Sequence, residues 1–155
     1  MSGVSDISML ARREIEARIT GPLIRAFVEE IGEERAIGVV TRVISLLAKE
    51  SGVQLAKKLG GNTLKHFAKG LATWSAGGVL DIEILELSET KYSFNVNRCG
   101  YADMYKKLGM ADLGVFLSCG RDFELVKGFN PRMKLIRTKT IMEGNTYCDF
   151  RITLE

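Results

Sequence analysis

The spacing of apolar residues changes at Gly77-Gly78, and this change restricts the fold classes open to the chain. Upstream, apolar positions such as Val40, Ile44 and Leu47 recur three and four residues apart, a spacing typical of helices with one buried face. Downstream, apolar and acidic residues alternate over residues 80–84, as they do in a half-buried strand. We therefore predict a helical first half followed by a part that carries a sheet.

Capping and helix-breaking residues divide the first half. Ser5 or Asp6 can cap the first helix, and Gly21-Pro22 is predicted to end it, with Pro22 opening the next helix. Gly60-Gly61 ends the longest apolar stripe, and Asn62 or Thr63 can cap the helix after it. The predicted helices cover residues 7–20, 22–31, 33–59 and about 63–74.

The second half alternates strands with helices. We predict strands over residues 79–87, 92–98, 133–142 and 146–154, and helices over residues 102–108 and 111–126. The four-residue loop 88–91 and the tight turn 143–145 make the strand pairs antiparallel. The predicted fold class is α+β, with a helical N-terminal half packed on one face of a roughly four-stranded antiparallel sheet. We expect residues 1–155 to form a single domain, with residues 1–76 as helical scaffold and residues 77–155 carrying the sheet and the candidate site.

Composition excludes several classes of protein. The net charge of +3 is too small to indicate a nucleic-acid partner, and no apolar run approaches the roughly 18 residues of a membrane span. The N-terminus lacks the charged and apolar regions of a secretory signal, so we expect a cytoplasmic protein. Three cysteines without a Cys-x-x-Cys pair predict reduced thiols and no disulfide framework.

The cysteines are the best candidates for chemistry. Cys119 and Asp122 lie three residues apart, which places both on one face of a helix. Asp122 could act as a general base there, although its negative charge would raise the pKa of the thiol. Cys99 ends a predicted strand where a cleft could open. Cys148 shares a strand face with Phe150, so we predict that it points into the apolar interior.

Strand alternation also gives predictions for the polar residues. Alternation places Arg98 on the apolar face of its strand. Its charged side chain must therefore either turn outward at the strand end or meet an anion. In the 133–142 strand, Arg137 and Lys139 are predicted to face solvent. Thr138 and Thr140 would then face inward and could donate hydrogen bonds to a ligand.

Several catalytic motifs are missing. The chain has one histidine and no Gly-x-Ser-x-Gly elbow, which argues against a catalytic triad of the serine hydrolase type. No phosphate-binding loop is present. Zinc held by the three cysteines and an aspartate is a minority alternative, because structural zinc sites use close cysteine pairs. We therefore predict no cofactor and no metal.

Ordered blocks of sequence carry a family resemblance. They comprise Arg98-Cys99-x-Tyr101-Ala102-x-Met104-Tyr105, Leu108-Gly109, Leu117-Ser118-Cys119-x-Arg121-Asp122-Phe123, Phe129-Asn130-Pro131, Arg137-Thr138-x-Thr140-Ile141-Met142-Glu143-Gly144 and Cys148-Asp149-Phe150. The region from Asn95 to Phe150 thereby resembles the L-2-amino-thiazoline-4-carboxylic acid hydrolase family. The resemblance implies thiol-assisted hydrolytic opening of a small cyclic amidine that bears a carboxylate, giving a carbamoyl-cysteine.

This chemistry needs a nucleophile, a proton-transfer group and a cation for the carboxylate. Our hypothesis assigns attack to Cys119 or Cys99, proton transfer to Asp122 and the carboxylate to Arg98. The predicted substrate-binding residues are Arg98, Tyr101, Thr138, Thr140 and Cys148. The predicted partner is a small-molecule substrate.

Two alternatives stay open. One is a non-catalytic sensor that binds a small molecule or a metal in a closed apolar pocket, similar in outline to vinyl-reductase-like binding domains. The other is a structural subunit that forms a homodimer through the Glu33–Leu59 helix.

Overall fold

The computed structural model describes residues 3–155 and confirms the predicted α+β class. The helices are α1 (Met9–Ile31), α2 (Glu33–Leu59), α3 (Leu64–Gly70), α4 (Ala72–Ser75), α5 (Gly100–Lys107), α6 (Ala111–Gly114) and α7 (Arg121–Phe129). The strands are β1 (Leu80–Leu87), β2 (Lys91–Cys99), β3 (Met133–Ile136) and β4 (Cys148–Leu154). Across residues 3–155, no helix has both the length and the apolar character that crossing a membrane requires.

The first helix is continuous, so the predicted break at Gly21-Pro22 is wrong. Ser8, rather than Ser5 or Asp6, caps α1: its hydroxyl oxygen accepts a hydrogen bond from the Ala11 amide at 3.1 Å. Pro22 removes one backbone donor, but packing against the rest of the protein keeps the helix intact. Gly21 is buried against Met110, whose sulfur would lie 2.5 Å from a Cβ added at position 21.

The four strands form one antiparallel sheet in the order β1-β2-β4-β3. On β2, the side chains of Tyr92, Phe94 and Val96 are buried and face helices α2, α3 and α7. Across the β2–β4 ladder, Val96 pairs with Cys148 and Phe94 with Phe150, so Cys148 points into the interior as predicted. The sheet therefore presents one apolar face to the helices.

Strand β3 ends at Ile136, six residues earlier than predicted. Asp149 explains the early end, because its carboxylate accepts hydrogen bonds from the amides of Thr138 and Lys139 at 2.8 and 2.6 Å. These backbone donors are thus satisfied by a side chain rather than by a strand partner. Residues 137–147 form a loop, and strand alternation does not apply to them.

The predicted 111–126 helix is interrupted by a π-helical turn at Val115–Cys119, where the Gly120 amide donates to the Val115 carbonyl at 2.7 Å. Such turns insert one extra residue into a helix and change the direction of the side chains that follow. Cys119 is the last residue of this turn, and α7 begins at Arg121.

Helices α2 and α7 approach closely because glycines line their contact. A Cβ added at Gly128 would lie 2.0 Å from the Lys49 carbonyl oxygen, and one at Gly52 would lie 2.1 Å from that of Leu125. Only glycine allows the two backbones to come this near. The contact fixes the position of α7, and with it the residues at its N-terminus.

Candidate functional site

A cavity of about 380 Å³ lies between the sheet and helices α1, α2 and α7. Part of its wall is apolar and comes from Phe67, Leu71, Trp74, Leu80, Phe94 and Val96. Another part carries charged groups and thiols from Arg13, Glu16, Arg121, Asp122, Arg137 and the three cysteines. The cavity can therefore accept a molecule that has both an apolar and a charged portion.

Asp122 and Arg137 form an ion pair in the cavity wall. Only 7% of the Arg137 side chain is exposed, and its guanidinium also donates to the Cys119 carbonyl at 3.1 Å. It lies over the rings of Phe123 and Phe150, at 4.9 and 5.3 Å from their centroids. Arg137 was predicted to face solvent, and that prediction is wrong because β3 ends before it.

Burial and a neighbouring cation act on the Asp122 carboxyl in opposite directions. About a third (35%) of its side chain is accessible, and Asp122 is part of the cavity wall. The protein around the cavity raises the pKa of Asp122 by burial, while the positive charge of Arg137 opposes the rise. A carboxyl group with a raised pKa exchanges protons closer to neutral pH than an exposed one does.

All three cysteines line this cavity, together with Asp122. Cys99 caps α5, and its sulfur accepts a hydrogen bond from the Ala102 amide at 3.4 Å. The sulfur of Cys148 accepts one from the Ile141 amide at 3.3 Å. The structure thus brings together residues that are up to 49 positions apart in the sequence.

The thiols are held in their neutral form. Burial raises the pKa of Cys99 to about 11 and also raises the pKa of Cys148. For Cys119, burial and then the negative charge of Asp122 raise the pKa well above its ordinary value. Since the thiolate is the strong nucleophile, none of the three is activated in the free protein.

Arg98 lies outside the cavity wall. Its exposed side chain turns outward at the strand end and donates to the Gly78 carbonyl at 2.7 Å. The β1–β2 register explains this: Asp81 pairs with Arg98, but the next residue, Ile82, pairs with Val96. The resulting bulge reverses the alternation that was used to predict the side of Arg98.

The two threonines have different surroundings. Thr138 is exposed, and its hydroxyl donates to the Asp149 carboxylate at 2.5 Å, so the prediction that it faces inward is wrong. Thr140 is buried in the cavity wall, but its hydroxyl donates to Glu143 at 2.6 Å. Tyr101 also lines the cavity; its hydroxyl donates to the Trp74 carbonyl at 3.0 Å, and burial raises its pKa to about 12.

A second charged group in the wall was not predicted. Arg13 donates to both oxygens of Glu16 at 3.0 and 2.8 Å, and Arg121 approaches the same carboxylate at 3.7 Å. Both arginine side chains are nearly buried, with 11% and 12% exposed. The sequence carried a signal: Arg13 has the spacing of Ala17, Gly21 and Ile24 on the buried face of α1. A charge in such a position needs a partner.

Within residues 3–155, histidine, cysteine and acidic side chains form no group of three or more that could hold a metal ion.

Solved structures with a similar fold belong to different kinds of protein. One is the phenol-responsive sensory domain of the transcription activator PoxR with phenol, at 13% identity and a TM-score of 0.55, covering 87% of this chain and 72% of that one. Another is trafficking protein particle complex subunit 3 from Naegleria fowleri covalently bound to palmitic acid, at 13% identity and a TM-score of 0.57, covering 93% and 95%. At this identity the likeness shows the fold alone.

Sequence comparison identifies the family. No curated protein matches the chain. The sequence model of the L-2-amino-thiazoline-4-carboxylic acid hydrolase family, however, matches residues 12–152, which include nearly all of the cavity wall. The chain therefore belongs to the L-2-amino-thiazoline-4-carboxylic acid hydrolase family.

Proposed function

We propose that this protein hydrolyses the ring of a cyclic amidine carboxylate of the 2-amino-thiazoline-4-carboxylate type. The observation that carries the proposal is the Asp122–Arg137 pair, which places a carboxyl group of raised pKa in the wall of a cavity beside a charged cluster. Family membership supports the same reaction class.

In the proposed reaction, water adds to the ring carbon that lies between nitrogen and sulfur. Asp122 takes a proton from this water as the new C–O bond forms. The ring C–S bond then breaks, and the proton passes from Asp122 to the leaving sulfur. The proton of the added hydroxyl moves to the former ring nitrogen, which completes the carbamoyl group. The product is a carbamoyl-cysteine, and Asp122 returns to its starting form. Arg137 favours the ionised form of Asp122 before the attack and holds the carboxylate in position throughout.

The thiols have a limited role in this scheme. Cys119 could attack the ring only if Asp122 removed its proton during the attack, because its pKa is raised. We propose water as the nucleophile, with Cys99, Cys119 and Cys148 as neutral parts of the wall. The carboxylate anchor is assigned to Arg13 and Arg121 instead of Arg98, since only the first two line the cavity.

In the test, the purified protein is incubated with 2-amino-thiazoline-4-carboxylate, and the carbamoyl product of ring opening is measured by chromatography. We expect Asp122→Asn to lower kcat by about 100-fold or more while the substrate still binds. Asp103→Asn is the matched control, because Asp103 is exposed on α5 and lies outside the cavity wall. An Asp122→Asn variant as active as the wild type would refute the proposal.

A non-catalytic ligand-binding role is the second candidate. The apolar part of the wall favours it, and proteins of the same fold hold phenol or carry palmitic acid. Binding of a thiazoline carboxylate without any product would support this role over hydrolysis.

A further inference from the structure

The cavity has more room than a bare thiazoline ring needs. At about 30 Å³ for each water-sized group, the roughly nine non-hydrogen atoms of 2-amino-thiazoline-4-carboxylate fill no more than about 270 Å³. The cavity measures about 380 Å³. The remaining space corresponds to roughly four methylene groups at the same volume for each group.

Aromatic and aliphatic side chains surround part of the cavity. Phe94 and Phe150 stack with their centroids 4.7 Å apart, and Leu71, Trp74 and Leu80 belong to the same apolar cluster. Unfilled apolar space has no partner atoms for dispersion contacts, so a ligand group that enters it gains affinity. This part of the wall offers nothing to a polar ring.

The charged part of the wall has more positive than negative groups. Arg13 and Arg121 share the single carboxylate of Glu16. Arg12 also lines the cavity, and its buried Nε has no hydrogen-bond partner among the residues that the structure describes. An anionic ligand group would complete this arrangement, and guanidinium groups suit a carboxylate.

We propose that the preferred ligand is an amphipathic carboxylate: a five-membered nitrogen–sulfur ring that carries an unbranched apolar group of about four carbons. This inference rests on the proposed function for the ring and extends it to the substrate class. The carboxylate lies against Arg13 and Arg121, and the apolar group lies against Leu71, Trp74 and Phe94.

Binding of 2-alkyl-thiazole-4-carboxylates tests the inference by calorimetry. These aromatic rings are not expected to be hydrolysed, so the result is independent of whether the protein has hydrolase activity. We expect the Kd to fall about fourfold for each carbon of the alkyl group up to about four carbons. A Kd that stays constant or rises with chain length in the wild type would overturn the inference.

Variants locate the apolar group. Leu71→Trp fills the apolar space, so the gain with chain length should disappear while the unsubstituted ring binds as before. Val96→Phe fills the same apolar space and provides a second test should Leu71→Trp not fold. Leu85→Trp is the control, because Leu85 lies on the exposed edge strand β1. Arg121→Met should weaken the whole series by a similar factor of about tenfold. If both filling variants fold and keep the full gain, the placement is wrong.

An exposed apolar row on α1 supports a second, independent inference. Ile15, Ile19, Leu23 and Phe27 follow one another at every fourth position, with 50%, 61%, 53% and 56% of their surface exposed. None of the four is among the buried residues of the helix, which are Arg13, Ala17, Gly21 and Ile24. Ile31 continues the row at 39% exposure. A contiguous apolar row of this length on a surface helix is typical of an interaction site.

We infer that a second copy of this chain covers the row. Its exposed parts amount to roughly 500 Å² on each protomer, so a symmetric pair reaches the about 1,000 Å² of a specific interface. Antiparallel pairing about Leu23 would set position 18 of one copy opposite position 28 of the other. Arg18, which pairs with Glu14 at 2.8 Å in its own helix, would then also lie near Glu29 of the second copy. A two-fold axis makes these contacts twice, which favours the dimer over open chains.

Light scattering after size-exclusion chromatography measures the oligomeric state of the 155-residue chain. We expect a dimer at micromolar concentration for the wild type and a folded monomer for Leu23→Glu and for Phe27→Glu. Leu85→Glu is the control and should stay dimeric, because Leu85 is equally exposed but lies on β1. A monomeric wild type, or dimers that persist in both α1 variants, would overturn the inference.

Discussion

Replacing Arg137 by methionine tests how the charged part of the cavity is built. Methionine keeps much of the apolar contact with Phe123 and Phe150 but leaves the Asp122 carboxylate without its counterion. Breaking a buried pair by removing one partner destabilises proteins by about 3–5 kcal/mol. Because 35% of the Asp122 side chain is accessible, we expect about 2–3 kcal/mol.

The pH dependence of this loss identifies its cause. Asp122 already has a raised pKa in the folded wild type, and removal of Arg137 raises it further. The folded state then binds this proton more tightly than the unfolded chain does. The stability of the variant should therefore fall as pH rises through the raised pKa and recover as pH falls towards about 4.

Urea unfolding of three proteins between pH 5 and 8 provides the measurement. Arg137→Met should have the lowest free energy of unfolding at pH 8, and adding Asp122→Asn to it should restore most of the loss. This rescue is expected because the double variant buries no unpaired charge. The reasoning would be refuted by a single variant as stable as the wild type, or by a loss that Asp122→Asn does not reduce.

Three further predictions concern packing, thiol reactivity and the loop after β3. Gly128→Ala should lower the free energy of unfolding by about 1–3 kcal/mol, because the added Cβ would meet the Lys49 carbonyl. Tm should then fall by roughly 2–4 °C for each kcal/mol. An unchanged melting curve would contradict the close contact between α2 and α7. Cys119 should react with iodoacetamide at pH 7 about tenfold or more slowly in the native protein than in urea, as followed by mass spectrometry; equal rates would show an activated thiol. Asp149→Ala should expose the loop amides at Thr138 and Lys139 to faster hydrogen exchange, because their acceptor is lost; unchanged exchange would mean that the carboxylate does not hold the loop.

Much of the fold was predictable because the relevant signals are local. The α2 boundaries follow from an apolar stripe bounded by glycines, and both bounds, Glu33 and Leu59, match the structure. Cys148 was placed in the interior correctly because β4 is regular over the residues that set its alternation.

The site was harder to predict because its geometry depends on interruptions of regular structure. The β1–β2 bulge turns Arg98 outward, and the end of β3 at Ile136 releases Arg137 to reach Asp122. The alternation of apolar and polar residues along a strand reveals neither event, because a bulge depends on the partner strand and the end of β3 depends on Asp149. Arg13 was overlooked because it lies far from the cysteines along the chain, although its buried helix position could have revealed it.

The pH dependence of kcat/KM for ring opening tests the central proposal, that Asp122 transfers the proton. The rate should rise with pH through the acid range, because Asp122 accepts a proton only when ionised. The midpoint of this rise should lie above the ordinary aspartate pKa of about 3.9. Arg137→Met should move that midpoint to higher pH. A wild-type rate that does not change across the acid range, or a midpoint that the Arg137 variant leaves in place, would contradict the account.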